Sequence, residues 1–231
     1  MRAPSTWGGT QQLLERLRTA APRPHLVFIS SYHVHPYDAA RPRPLLTSDP
    51  VAPTDAYAEH KIEAEAQVRS LERHTILRFS SILLDRKPDA ETLRVLFGIP
   101  LETRFELVDP RDGAFAVARS LAVPEAVGQT WFIGGGERRQ TTYRAFCQNL
   151  FDAQGLQMLP DEAFSTKPFI GDWLDTTESQ MRLQYQRHGL DEYYLSQRRP
   201  AFVRGVVRVI APIVRRIMLR HSEPWKARAA R

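Results

Sequence analysis

The sequence has a single cysteine, Cys147, among its 231 residues. No internal disulfide can form, so the fold rests on non-covalent packing, and a reducing, cytoplasmic compartment is the expectation. No stretch reaches the roughly 20 charge-free apolar residues of a membrane span. Residues 1–7 lack the apolar core of a secretion signal. The seven histidines show no metal-ligand spacing. His33 and His35 stand two apart and the rest are scattered, so surface or pocket-wall positions are expected and no metal is. Walker loop, nucleophile elbow and zinc knuckle are all missing, which removes the chemistries those motifs carry.

Acidic residues are nearly absent from the C-terminal segment. Residues 198–231 hold ten Lys/Arg and one acid, Glu223, a charge of +9 that leaves −3 for the remainder of a chain totalling +6. The high isoelectric point therefore belongs to the tail, and a general nucleic-acid surface is not expected. Between 202 and 220 arginine alternates with aliphatics. On a helix, Arg204, Arg208 and Arg215 fall near one face, while Val206, Val207, Ile210, Ile213, Val214, Ile217 and Met218 group toward the other, with Pro212 placed to kink it. Arginines inside the apolar stretch argue against a span, since each costs about 2.5 kcal/mol or more at the bilayer centre. Two readings stay open: an interfacial helix touching an anionic membrane peripherally through residues 201–220, at the inner membrane surface, and a helix packed on the body or on a partner. Residues 222–231 are expected to fray.

The chemistry-bearing pattern is Tyr57-x-x-x-Lys61, with Ser30-Ser31 closing an apolar run upstream. A tyrosine is normally too weak an acid to ionise near neutral pH, and an ammonium one helical turn away favours the phenolate. Such a tyrosine can exchange a proton with an alcohol or carbonyl. A serine hydroxyl can hydrogen-bond the same oxygen, and a strand end is where parallel α/β sheets place their ligands. The run 25–31 reads as a buried strand and 57–71 as an amphipathic helix.

On these residues, with Leu77-Arg78 in a following strand and the segments 107–112 and 131–136, the chain resembles the extended short-chain dehydrogenase/reductase family, also called the NAD-dependent epimerase/dehydratase family, over roughly residues 8 to 190. The resemblance implies an α/β fold: part of a Rossmann-type doubly wound parallel sheet lacking its first strands, a small α/β substrate domain and a C-terminal basic amphipathic helix. It implies NAD or NADP as cofactor, a small-molecule substrate and a homodimer through the helix bearing Tyr57. Tyr57 becomes the acid/base, Lys61 the residue that tunes it and holds the nicotinamide ribose, and Ser31 the oxygen-orienting hydroxyl. Ser30, Phe79, Ser80 and Ser81 join Tyr57 and Lys61 on the cofactor side; Tyr32, His33, Ser81 and Arg111 face substrate. Ser30 has an alternative role in backbone hydrogen bonding or capping at the strand end.

The family's Gly-x-x-Gly-x-x-Gly turn, whose backbone N–H groups receive the cofactor pyrophosphate, is missing: Gly8-Gly9 and Gly134-Gly135-Gly136 have neither its spacing nor its context. The chain is thus expected to begin after the first four strands, to hold NAD(P) weakly, and to leave strand 25–30 as a sheet edge. His35-Pro36 replaces the family's Tyr-Gly, and Ser81 and Leu84 stand where nucleotide-sugar enzymes carry Asn and Gly, which weighs against a nucleotide sugar.

A chain of this length buries roughly three-quarters of its unfolded surface, enough for one α/β domain and a smaller appendage. The expected division is 1–160 for the Rossmann-like part with interleaved substrate segments, 161–197 for the rest of the substrate domain and 198–231 for the tail. Helices are expected over 10–20, 85–98, 113–121 capped by Asp112, and 141–155, and strands over 75–80 and 105–108. The aromatics of 141–155 are read as core, and Thr176 as a helix cap.

Overall fold

The computed structural model describes residues 6–38, 41, 43–83 and 89–229, with backbone only for 6–10 and 229. Leu84 and the first residues of the expected helix over 85–98 lie outside this set. The described residues belong to two compact units, one drawn from Met1–Leu83, Glu106–Glu137 and Trp173–Arg187, the other from Leu84–Phe105, Arg138–Asp172 and His188–Arg231.

The first unit is built on three parallel strands, β1 (Leu26–Ser31), β2 (His74–Phe79) and β5 (Thr130–Ile133), in the order β1-β2-β5. Strand β1 is at the edge, as expected. The strands end level, with Ser31 beside Phe79 and Phe79 beside Ile133. Side chains alternate across a strand, and the sequence sorts accordingly. Ile76 of β2 joins Leu14 of α1 (Thr6–Thr19) and Val68 of α2 (Ala56–Val68) in one apolar cluster. Leu77 and Phe79 join Trp131 and Ile133 on the other face, against Ala116 of α4 (Pro110–Ala122) and Leu183 of α6 (Thr177–Leu183). Helices thus cover both faces of a parallel sheet. The short β3 (Ser81–Ile82) runs parallel to the end of β4 (Arg104–Val108), Ser81 beside Leu107.

Local signals explain the helix starts. Asp55 caps α2, its carboxylate accepting from Ala58 N at 2.8 Å. Helix α4 starts earlier than expected because Asp109, not Asp112, is its cap, accepting from Arg111 N, and Pro110 follows at the first position. Asp112 is instead buried and accepts from Arg187 N at 3.0 Å. Helix α1 likewise extends back to Thr6. Thr176 occupies the cap position of α6 without a side-chain cap bond; its hydroxyl accepts from Gln186 Nε2 at 2.7 Å.

The second unit contains α3 (Ala90–Gly98), β6 (Gln140–Thr142), α5 (Tyr143–Gln154), α7 (Leu190–Ser196), α8 (Ala201–Leu219) and α9 (Glu223–Ala229). Its core is aromatic: Tyr143 and Phe146 of α5 lie 5.3 and 5.5 Å from Phe105, and Phe97 lies 5.5 Å from Phe164. The expected fraying after 222 is overturned. Ser222 is buried, donates to Ala163 O at 2.6 Å and accepts from Trp225 N, which starts α9.

Helix α5 ends at Gly155, whose φ of 83° lies in the left-handed region, and a Cβ built there would stand 3.0 Å from the backbone of Arg204 in α8. Glycine serves two needs at this point, the turn and the close approach of α8. Gly155→Ala is expected to lower stability by about 1–3 kcal/mol. Gly205→Ala, an open helical position, should raise it by about 0.5–1 kcal/mol. Urea denaturation of the two variants measures both, and equal effects would contradict the close-approach argument.

Candidate active site

Of the residues singled out by the sequence, Ser31, Tyr32, His33, Tyr57 and Lys61 lie where β1 ends and along the start of α2. Ser31 closes β1 and caps a short 3-10 turn over Tyr32–Val34, its hydroxyl accepting from His33 N at 3.2 Å. The His33 ring meets Tyr57 edge-on at 5.6 Å, and His33 Nε2 lies 3.3 Å from the Asp55 carboxylate. Tyr57 is 49% exposed in the first turn of α2. One turn on, Lys61 Nζ lies 5.8 Å from the Tyr57 ring centroid and 5.1 Å from that of Phe28, and donates to Ile29 O at 2.8 Å. Burial pulls the Lys61 ammonium below the usual lysine range, an effect Glu65 partly opposes.

Ser30 points the other way, as strand alternation requires. It is buried and donates to Glu65 Oε1 at 2.6 Å, a side-chain partner in place of the capping or backbone bond expected as its alternative role. Tyr32 is buried in the turn. Phe79 is buried at the end of β2, its ring so close to Gly113 that a Cβ there would stand 2.8 Å from it. Ser80 donates its N–H to Ile133 O, and its buried hydroxyl has no partner among the described residues. Ser81 is half-buried in β3. Arg111 is held on its own cap, forked onto Asp109 by two bonds of 2.9 Å. The described residues contain no group of His, Cys, Asp and Glu that could hold a metal. Cys147 is buried, its thiol pushed up to about 12 by that burial.

Beneath these groups lies a network the sequence reading missed. Glu65, one turn beyond Lys61 on α2, receives Arg78 through bonds of 2.9 and 2.7 Å, Ser30 at 2.6 Å and Arg69 at 3.1 Å. Burial pushes the Glu65 carboxyl up, and the bonds and charge of Arg78, with Ser30 and Arg69, more than reverse it, leaving it below the usual range. Arg78 also donates to His35 Nε2 at 2.9 Å, so the other ring nitrogen carries the proton and donates to Pro50 O at 3.1 Å. Burial, then the Arg78 charge, lowers His35 to about 4. The signal was present: an arginine inside an otherwise apolar buried strand requires an acid, and Glu65 is on the helix that packs over it.

The chain's strand order and helix cover are those of a Rossmann-type α/β fold. Three solved structures share its fold: a short-chain dehydrogenase/reductase superfamily protein from Agrobacterium tumefaciens with bound NAD (20% identity, TM-score 0.64, 93% of this chain and 79% of that one), dTDP-glucose 4,6-dehydratase from Bacillus anthracis in complex with NAD (15%, 0.67, 82% and 65%) and RMD from Pseudomonas aeruginosa complexed with NADPH (16%, 0.61, 90% and 72%). This chain therefore spans less than two thirds of the dehydratase. Residues 12–108 match the family model described as RmlD substrate binding domain. The fold is the one that the resemblance to the extended short-chain dehydrogenase/reductase family implies. No curated protein matches the chain.

The buried network sets a pH dependence. The unfolded chain takes up a proton on His35 near pH 6.5 that the folded chain refuses until about pH 4. Stability is therefore lost as pH falls through that window, by up to about 3 kcal/mol. His35→Asn, which keeps a donor for Pro50 O, should flatten this slope in denaturation curves taken between those limits; an unchanged slope would contradict the assignment. Arg78→Leu strands the Glu65 charge and should cost about 3–5 kcal/mol near neutral pH.

Proposed function

We propose that the chain is an NAD(P)-dependent oxidoreductase or epimerase in which Tyr57, Lys61 and Ser31 move a proton at a hydroxyl- or carbonyl-bearing carbon. The observation that carries this reading is the placement of Lys61. Its ammonium is partly desolvated, one helical turn from Tyr57 and anchored at the end of β1, where a charge acts most strongly on a neighbouring phenol. Two of its three donors remain for a ribose. The Ser80 hydroxyl, without a partner among the described residues, is a second group suited to a polar ligand at the strand ends. These features fit the nicotinamide end of a dinucleotide; the glycine-rich donors for its pyrophosphate are not in the sequence.

When bound, the nicotinamide supplies the hydride acceptor or donor. The chain's own part is the proton. Tyr57 Oη, starting as the phenolate, receives it from a substrate hydroxyl and becomes neutral as the hydride leaves the carbon bearing that hydroxyl; the Lys61 charge favours that starting phenolate, and Ser31 holds the substrate oxygen. General acid–base transfer of this kind contributes roughly 10²–10⁴-fold in rate. Tyr32, His33 and Ser81 form the substrate side, and Arg111 joins them if it leaves Asp109. Dimerisation through α2, next to the site, and a reducing compartment complete this reading.

Fluorescence titration of the full chain with NADH and NADPH tests it. Saturable binding is expected, weakened about 10–100-fold by Lys61→Ala, the value of a hydrogen bond from a charged donor, and retained by Tyr57→Phe. Absence of saturable binding to either cofactor would replace the enzyme by a cofactor-deficient interaction module.

A further inference from the structure

Helix α8 carries two apolar faces, and only one is covered. Val203, Val207, Val214, Met218 and Leu219 are half-buried or buried. Phe202, Val206, Val209, Ile210, Ile213 and Ile217 are exposed and follow one another at helical spacing along a single stripe. Val209 at 80% and Phe202 at 82% are almost bare. A monomer in water keeps no such row of large side chains on one helix without a use for it.

The charge around the stripe says what it meets. Residues 198–229 hold nine Lys/Arg against Glu223 alone. Beside the C-terminal half of the stripe opens a cleft of about 540 Å³ lined by Arg215, Arg216, Arg220, Lys226 and Trp225, with Pro212 and Leu219, and none of the residues lining it is acidic. Arg216 lies on the flank of α8 between the stripe and this cleft, and Trp225 is the amphipathic side chain enriched at membrane–water boundaries. A second copy of this chain would set the same positive charges against each other, which opposes pairing through this face. An anionic surface matches it.

We propose that α8 docks in the plane of an anionic phospholipid bilayer, its stripe inserted among the upper acyl chains and the cleft's Arg215, Arg216 and Arg220 receiving lipid phosphates, while Lys226 is paired with Glu223. The helix lies on the membrane and does not cross it: among the described residues no helix is long and apolar enough to do so. Long arginine side chains reach from such a helix to the headgroup level while their stems stay among apolar groups. This inference is independent of the proton-transfer site, which lies in the other unit.

Co-sedimentation of the full chain with vesicles of phosphatidylcholine alone, and of phosphatidylcholine with phosphatidylglycerol, tests it. Binding is expected to the anionic vesicles and to fall with added salt. The pair Val209→Asp/Ile213→Asp, at exposed positions and with retention of the fold checked by circular dichroism, should weaken binding at least about tenfold. Arg216→Glu/Arg220→Glu should remove the preference for anionic over neutral vesicles. Equal binding to both vesicle types by the unaltered chain, or full binding by the aspartate pair, would overturn the proposal. So would a concentration-dependent dimer in sedimentation velocity that the aspartate pair dissolves while vesicles bind nothing, since the stripe would then be a contact between copies.

Discussion

The ion pair of Glu65 and Arg78 is the constraint on which the first unit depends. Arg78 comes from the central strand β2, Glu65 from the covering helix α2, and Ser30 from the edge strand β1 donates to the same carboxylate. One carboxylate therefore fixes three elements relative to one another. Both charges are almost fully buried, and the desolvation involved means that such a pair adds little net stability over a well-packed apolar alternative. What it adds is uniqueness. A slip of α2 along the sheet by one residue would leave a buried carboxylate and a buried guanidinium without partners, so helix register is specified far more sharply than by apolar packing alone.

That register places the site. Tyr57, Lys61 and Glu65 recur every four residues on α2, so locking Glu65 onto the sheet carries Lys61 to the end of β1 and Tyr57 to the turn beyond it. The same logic separates the two serines. Adjacent residues of a strand face opposite ways, and once Ser30 turns toward Glu65, Ser31 must turn away from it, to the turn where His33 and Tyr57 meet. The proposed acid/base and its neighbours thus sit on a short, half-exposed segment supported from beneath by groups that are fully bonded, an arrangement that holds reactive side chains without burying them.

Much of this was legible from the residues. Apolar runs gave β1 and β2, period and capping gave α2 and α5, and the Tyr57/Lys61 spacing with the serine pair singled out the candidate site. The parts that were not legible share a cause: they depend on which of two similar residues a long-range partner selects. Asp109 and Asp112 both suit a cap; Asp112 is taken by Arg187 N, distant in sequence. Residues 222–231 have a composition that suits fraying, yet Ser222 finds the Ala163 carbonyl and starts α9. The Glu65–Arg78 pair could have been inferred from the arginine in an apolar strand, though not the convergence of Ser30, Arg69 and His35 on it. Local pattern specifies elements; pairing of polar groups across elements needs the fold.

Lys61 is where the fold and the proposed chemistry meet in one side chain. As a strap it supplies a donor to Ile29 O on β1, a strand that pairs on one side only among the described residues. As a charge it stands near the Tyr57 ring. The proposed role and the strap are compatible because an ammonium is a compact three-donor point charge: one bond to the strand fixes where the nitrogen sits, and the proposal of Lys61 as partner to Tyr57 rests on that fixed position. A flexible lysine in water would spread its charge over many rotamers and be screened. An arginine would carry the charge in a planar fork, with the field spread over a larger group and its donors set in fixed directions. The residue type, the four-residue spacing and the strand end are therefore one requirement, and the buried carboxylate one turn further along α2 is what holds all three in register.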